Sequence, residues 1–153
     1  MQIETILAPR RTFCGIEGGS KKRLLETVAN HIAADYPNLD ADDLFRSLIA
    51  RERLGSTGFG HGIAIPHCRL ENCTGTIGAL VKLAEPIDFD AIDGEPVDII
   101  FALLVPLESH DDHLQTLATL AGAFGDADYR QRLRRADSDT DLYTEALSAP
   151  IEA

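Results

Sequence analysis

Ile99-Ile100-Phe101-Ala102-Leu103-Leu104 is apolar at every position, and Ile63-Ala64-Ile65 repeats the pattern upstream. A strand with one solvated face alternates apolar and polar residues, whereas a strand covered on both faces reads as an unbroken apolar run. These two segments therefore predict strands held between two other layers. Strand length and β-branched content predict strands at Thr12–Ile16, Gly62–Ile65, Thr76–Leu83 and Val97–Val105. Helical spacing fills the intervals. Ser20 precedes Leu24, Leu25, Val28, Ala29 and Ile32, which share one face. Asp40 with Asp43 has the form of a cap followed three residues on by its first-turn acid, ahead of Leu44, Leu48 and Ile49. Ser109 with Asp112 and Ser138 with Asp141 repeat that form, and Tyr129 to Arg135 predicts one more short helix. Glu85-Pro86 and Asp93-Gly94 predict turns. The order β-α-α-β-β-β-α-α-α implies an α/β fold, a mixed sheet flanked by helices on both faces, with residues 1–153 as a single domain.

Composition narrows the function. At 153 residues, with 44% hydrophobic and 25% charged, the chain has ordinary globular values and enough length for a core. Its 25 acidic residues against 14 basic ones give a net charge of -11. That field repels phosphate backbones and anionic lipid, so nucleic acid and membrane surfaces are not expected partners. Met1–Ala8 contains Glu4 and has no signal-peptide core, and the apolar runs Gly75–Val81 and Ile99–Val105 are too short to span a bilayer. Three cysteines, Cys14, Cys68 and Cys73, make no even disulfide framework. A cytoplasmic protein with reduced thiols is expected.

The stretch Leu54-Gly55-Ser56-Thr57-Gly58-Phe59-Gly60-His61-Gly62-Ile63-Ala64-Ile65-Pro66-His67 is where chemistry concentrates. Its glycines and its Ser-Thr pair allow backbone to bend closely around something small. It lacks the Gly-Lys-Ser/Thr ending of a P-loop and does not open a helix after a strand, so a nucleotide site is not expected. Pro66 biases Ile65 toward extended geometry, so His67 is delivered at the end of a stiff element. His113 sits about one turn inside the helix that Ser109 begins, where the dipole disfavours imidazolium and favours a bound anion. Arg51 ends the second helix, and its guanidinium fork could clamp phosphate. Taken singly, each of these residues has a plain structural role open to it: a strand-end hydrogen bond, an exposed first-turn position, a helix C-terminal cation. His61, His67, Cys68, Cys73, His110 and His113 carry no spacing of a zinc site, so no metal or other cofactor is expected. Nothing marks a thiol beside an orienting acid, which argues against a Cys–His hydrolase. Arg130, Arg132, Arg134 and Arg135 read as a solvated helical face.

Together these residues resemble the type-2 enzyme IIA domain of the bacterial phosphotransferase system. Gly62-Ile63-Ala64-Ile65-Pro66-His67 matches the family's phosphohistidine motif. Pro86-Ile87, Gly94-Glu95-Pro96-Val97-Asp98, Leu103-Leu104-Val105-Pro106 and His113-Leu114-Gln115-Thr116-Leu117 match its later pattern, so the similarity runs from about Ile3 to Leu147. Leu54-Gly55-Ser56-Thr57-Gly58 resembles the nitrogen-regulatory branch. The resemblance implies a phosphoryl-transfer regulator with His67 as the phosphorylated residue and His113 as a second active-site histidine. It makes Arg51 a phosphate-binding residue, and Ser56 and Thr57 of the glycine-rich stretch are expected to bind phosphate with it. It also implies an HPr-like phosphocarrier (NPr) as donor, with regulatory targets in potassium transport and among sensor kinases. A sugar-specific IIA of fructose or mannitol type, passing phosphate to a IIB domain, is the alternative reading; a binding module with a vestigial site is a third, opposed by the joint presence of His67, His113 and Arg51. Two positions depart from the family pattern: Cys68 stands where a small residue usually follows the histidine, and His61 replaces a polar non-histidine.

Overall fold

The computed structural model describes residues 3–108 and 111–150, with the backbone alone at 111–113. Among the described residues six strands, β1 (Thr12–Ile16), β2 (Gly58–Gly60), β3 (Ile63–Ala64), β4 (His67–Leu70), β5 (Ile77–Ile87) and β6 (Val97–Pro106), form one sheet, and five α-helices pack on it: α1 (Lys21–Asp35), α2 (Ala41–Leu54), α3 (Asp111–Phe124), α4 (Ala127–Arg135) and α5 (Asp139–Leu147). The sheet order is β1-β5-β6-β3-β2. β5 and β6 are antiparallel, β1 runs parallel to β5, and β3 and β4 lie end to end along β6, both parallel to it.

The unbroken apolar run in β6 has the cause expected of it. Ile99, Phe101, Leu103 and Val105 face a core completed by Leu120 and Phe124 of α3, Tyr129 and Leu133 of α4, and Leu142 and Ala146 of α5. Ile100, Ala102 and Leu104 alternate with them and join α1 and α2 through Leu24, Leu25, Val28, Ile32, Leu44 and Leu48. The helix starts are capped as the sequence predicts. Ser20 accepts from the Arg23 amide, Asp40 from those of Asp42 and Asp43, and Ser138 from that of Asp141. Ser109, expected to cap α3, lies outside the described residues.

Four expectations are corrected. The glycine-rich stretch contains a strand, β2, which pairs antiparallel with β3. Glu85-Pro86 does not turn the chain: β5 continues to Ile87, with its pairing to β6 interrupted between Lys82 and Ile87, which is where proline's missing amide is tolerated. His67 does not end a strand but begins one, since the Ile65-Pro66 step divides the chain along β6 into β3 and β4. Three of the four α4 arginines do not form a solvated face, whereas Arg135 is exposed as expected. Arg134 pairs with Asp98, Arg132 with Asp128 and Glu145, and Arg130 donates to the Phe124 carbonyl.

Candidate active site

The C-terminal end of α2 and the start of β4 meet at His67. Asp40, Asp42 and Asp43 at one end of α2, and Arg51 and Arg53 at the other, complement its dipole. Gly55 closes the helix by donating its amide to the Glu52 carbonyl at 3.2 Å. The next residues turn into β2, and Gly58 fits there because a Cβ would come within 2.7 Å of Ala91. Between β2 and β3 the chain reverses at His61 and Gly62, both at positive φ. A side chain at Gly62 would overlap the Arg134–Asp98 pair, at 2.4 Å from Arg134 and 2.8 Å from Asp98. From this turn β3 carries the chain along β6 to Pro66, whose carbonyl accepts the Leu103 amide at 2.8 Å. His67 then enters register opposite Leu103.

The imidazole of His67 is held from both sides. Arg51 Nε donates to its Nε2 at 3.2 Å, and Nδ1 lies 2.9 Å from the Ile65 carbonyl oxygen. A guanidinium has no acceptor and a carbonyl has no donor. These two partners therefore fix the tautomer, with the proton on Nδ1 and the lone pair on Nε2. Arg51 is itself anchored by Nη1 to the Gly55 carbonyl at 3.0 Å. His67, Arg51, Leu54 and Cys68 line an open depression of about 390 Å³, and Leu54 beside it is 85% exposed.

Burial pushes the His67 pKa below its ordinary 6.5, and the Arg51 charge pushes the same way; the Ile65 carbonyl and Glu52 act in the opposite sense without overturning the shift. The folded state thus prefers the neutral ring. An NMR titration of His67 is expected to give a midpoint below 6.5 and below that of the unfolded chain. By linkage the ring's contribution to stability is present above about 6.5 and is lost as pH falls through the depressed value. A midpoint at or above 6.5 would contradict this account of the ring's surroundings.

The other candidates fall as follows. α3 begins at Asp111, so His113 stands in its first turn, while its side chain lies outside those described. Ser56 donates its hydroxyl to the Phe89 carbonyl at 2.7 Å and accepts from the Gly58 amide at 3.0 Å. Thr57 is buried and gives its hydroxyl and amide to Glu52. In this arrangement both hydroxyls hold the loop together. The buried Cys68 thiol is pushed up to about 12, chiefly by burial, which leaves it protonated and weakly reactive toward oxidants. Among the described residues no three His, Cys, Asp or Glu side chains converge as a metal site, and no helix is long and apolar enough to cross a membrane. Sequence reasoning passes over two groups that the geometry brings in, the Ile65 carbonyl and Glu52. A backbone carbonyl leaves no trace in a sequence, and an acid next to Arg51 reads there as one more exposed charge.

Residues 5–147 match the family model "Phosphoenolpyruvate-dependent sugar phosphotransferase system, EIIA 2". The chain is 50% identical over 143 residues to the nitrogen regulatory protein of Pseudomonas aeruginosa, covering 94% of this chain and 93% of that one. Its fold superposes on the crystal structure of nitrogen regulatory protein IIA-Ntr from Neisseria meningitidis with a TM-score of 0.88 and 40% identity, covering 94% and 98% of the two chains. IIA mannitol from Escherichia coli has the same fold at 17% identity, with a TM-score of 0.74 and coverage of 91% and 97%.

Proposed function

The chain belongs to the EIIA type-2 family of the phosphoenolpyruvate-dependent phosphotransferase system, in its nitrogen-regulatory branch, and from that membership we propose that His67 is the residue that carries the phosphoryl group. The protein is a phosphotransferase component working in nitrogen-related regulation, and its partner in transfer is a phosphocarrier. The observation that carries the assignment of His67 is its oriented ring: Nε2 meets the Arg51 guanidinium, and Nδ1 meets a carbonyl.

Transfer then needs little from the protein beyond position and charge. Nε2 attacks phosphorus in line as the donor's nitrogen–phosphorus bond breaks, and the donor imidazole leaves with the electron pair of that bond. The proton on Nδ1 stays where it is, so none has to be moved. Positive charge grows on the ring as the new bond forms, and the Ile65 carbonyl at 2.9 Å stabilises it. Arg51 releases Nε2 to the incoming phosphorus and turns its donors to the phosphoryl oxygens. His113, in the first turn of α3, completes the site in this reading. Donor and acceptor are both imidazoles, so the transfer is reversible.

The donor in this proposal is an HPr-like phosphocarrier of the nitrogen branch (NPr). Exposed Leu54 at the depression gives it an apolar contact, and the chain's charge of -11 favours a carrier with a basic rim around its own phosphohistidine. Potassium-transport proteins and sensor kinases are the proposed readers of the phosphorylation state. The two cores share one sheet, which supports treating residues 1–153 as one domain. The test is incubation with phosphoenolpyruvate, enzyme I and each candidate carrier, followed by mapping of acid-labile phosphate. Phosphate on His67 with the nitrogen-branch carrier, and no onward transfer to a IIB domain, is expected. Rapid transfer to a fructose- or mannitol-type IIB would move the role to sugar uptake.

A further inference from the structure

Arg51 is explained by its contact with His67, but the residue after it is harder to place at a helix end. Glu52 is 8% exposed, and acids are seldom buried without dedicated partners. Its partners come from two directions. Thr57 gives its amide to Oε1 at 3.1 Å and its hydroxyl to Oε2, and Lys21 Nζ, from the first turn of α1, lies 2.9 Å from Oε1. Thr57 passes the constraint on. Its carbonyl accepts the Ile65 amide at 3.1 Å, and the Ile65 carbonyl faces His67 Nδ1 at 2.9 Å. Ile65 lies in the gap between β3 and β4, where Pro66 has no amide to give; the bond to Thr57 holds the amide side of Ile65, and its Cα passes that constraint to the next peptide, whose carbonyl faces His67.

We propose that Glu52 is a positioning residue that sets the His67 tautomer: acting through Thr57 and Ile65, it holds the proton on Nδ1 and keeps Nε2 as the attacking nitrogen. This rests on the reading of His67 as the phosphoryl acceptor. The control matters because neutral histidine in water favours the opposite tautomer, with the proton on Nε2, and that form has no lone pair to offer there. Which ring nitrogen keeps its proton is set by the hydrogen bond the other makes. Arg51 and Glu52, adjacent in the chain, thus act on opposite nitrogens of one ring. Arg51 reaches Nε2 directly, and Glu52 reaches Nδ1 through backbone.

The test is nitrogen NMR of the His67 ring in alkaline buffer, where the ring is neutral, with single-turnover transfer measured alongside. The wild-type ring is expected to be protonated on Nδ1. Glu52→Ala is expected to shift the population toward the Nε2-protonated form and to slow transfer roughly fivefold, as the competent form is diluted, with carrier affinity unchanged. Glu52→Gln can still accept the Thr57 amide and can donate to its hydroxyl, so it is expected to restore both tautomer and rate although the pairing with Lys21 is lost. A merely structural anchor would not produce that paired recovery. Should Glu52→Ala fail to fold, Thr57→Val removes one of the two bonds with little change of shape and is expected to shift the tautomer part of the way. A wild-type ring protonated on Nε2, or an unchanged tautomer in a folded Glu52→Ala or Thr57→Val protein, overturns the proposal. The ring spectrum needs no phosphoryl donor, so a His67 with the expected tautomer that never accepts phosphate would count against the reading of the site instead.

Discussion

Replacing His67 by alanine is expected to abolish acid-labile phosphate incorporation while leaving the fold in place. The side chain belongs to neither core, and the strand it begins stays registered on β6 through backbone opposite Leu103. Its loss removes the ring that Arg51 meets at Nε2 and the Ile65 carbonyl meets at Nδ1. Mass spectrometry of intact protein after incubation with the phosphorylated carrier, with circular dichroism as the folding control, reads both halves of the expectation. A fully labelled variant would remove His67 from the reaction. Stable phosphate appearing on His113 would reassign the acceptor.

Arg51 should show the next largest effect. Its side chain joins the helix end through the Gly55 carbonyl to the His67 ring through Nε, and in the proposed reaction it exchanges the ring for the phosphoryl oxygens. Removing one preorganised donor from a transferring group typically costs about 3–4 kcal/mol, roughly a hundred- to a thousandfold in rate. Arg51→Ala is therefore expected to slow single-turnover transfer by about that factor with little change in carrier affinity. Arg51→Lys should recover little, because an ammonium cannot reach Gly55 and His67 together through a rigid fork. His113→Ala is expected to fall in the same range if the first turn of α3 supplies the second donor. Wild-type rates in both Arg51 variants would leave the guanidinium a helix-end cation only.

The sequence disclosed the layers of the fold more readily than the short strands that build the site. β6 could be read because burial on both faces makes every position apolar, and α1, α2 and α5 because their capping side chains are local. β4 was hidden by its own residues. Cys68 and Leu70 are buried while Arg69 is exposed, a period of two too brief to stand out beside a proline. Arg134 reads as solvated in the sequence because its partner, Asp98, is distant along the chain. At the site, His67 and Arg51 were legible as residue types in a spaced pattern. The direction of the histidine's proton was not, because it depends on a carbonyl and on a buried acid whose partners appear only when the loop closes.

The end-to-end placement of β3 and β4 along β6 bears on how the chain is made. Synthesis runs from the N-terminus, and domains begin to fold as they emerge. α1 and α2 follow one another directly and can associate early, and β5 with β6 needs only a short reversal between Ile87 and Val97. The strand that begins with His67 has no such local partner. It must wait for β6, so no nascent chain that stops before Pro106 has left the ribosome can hold the histidine in register, however complete its helices are. β1 waits as well, since Thr12 pairs with Leu80. Translation therefore leaves β1, β3 and β4 with unpaired edges for the whole interval in which the glycine-rich segment is exposed, and this is the period when sheet-to-sheet aggregation competes with folding. The register of His67 is therefore fixed late, only once the second strand of the central hairpin has emerged.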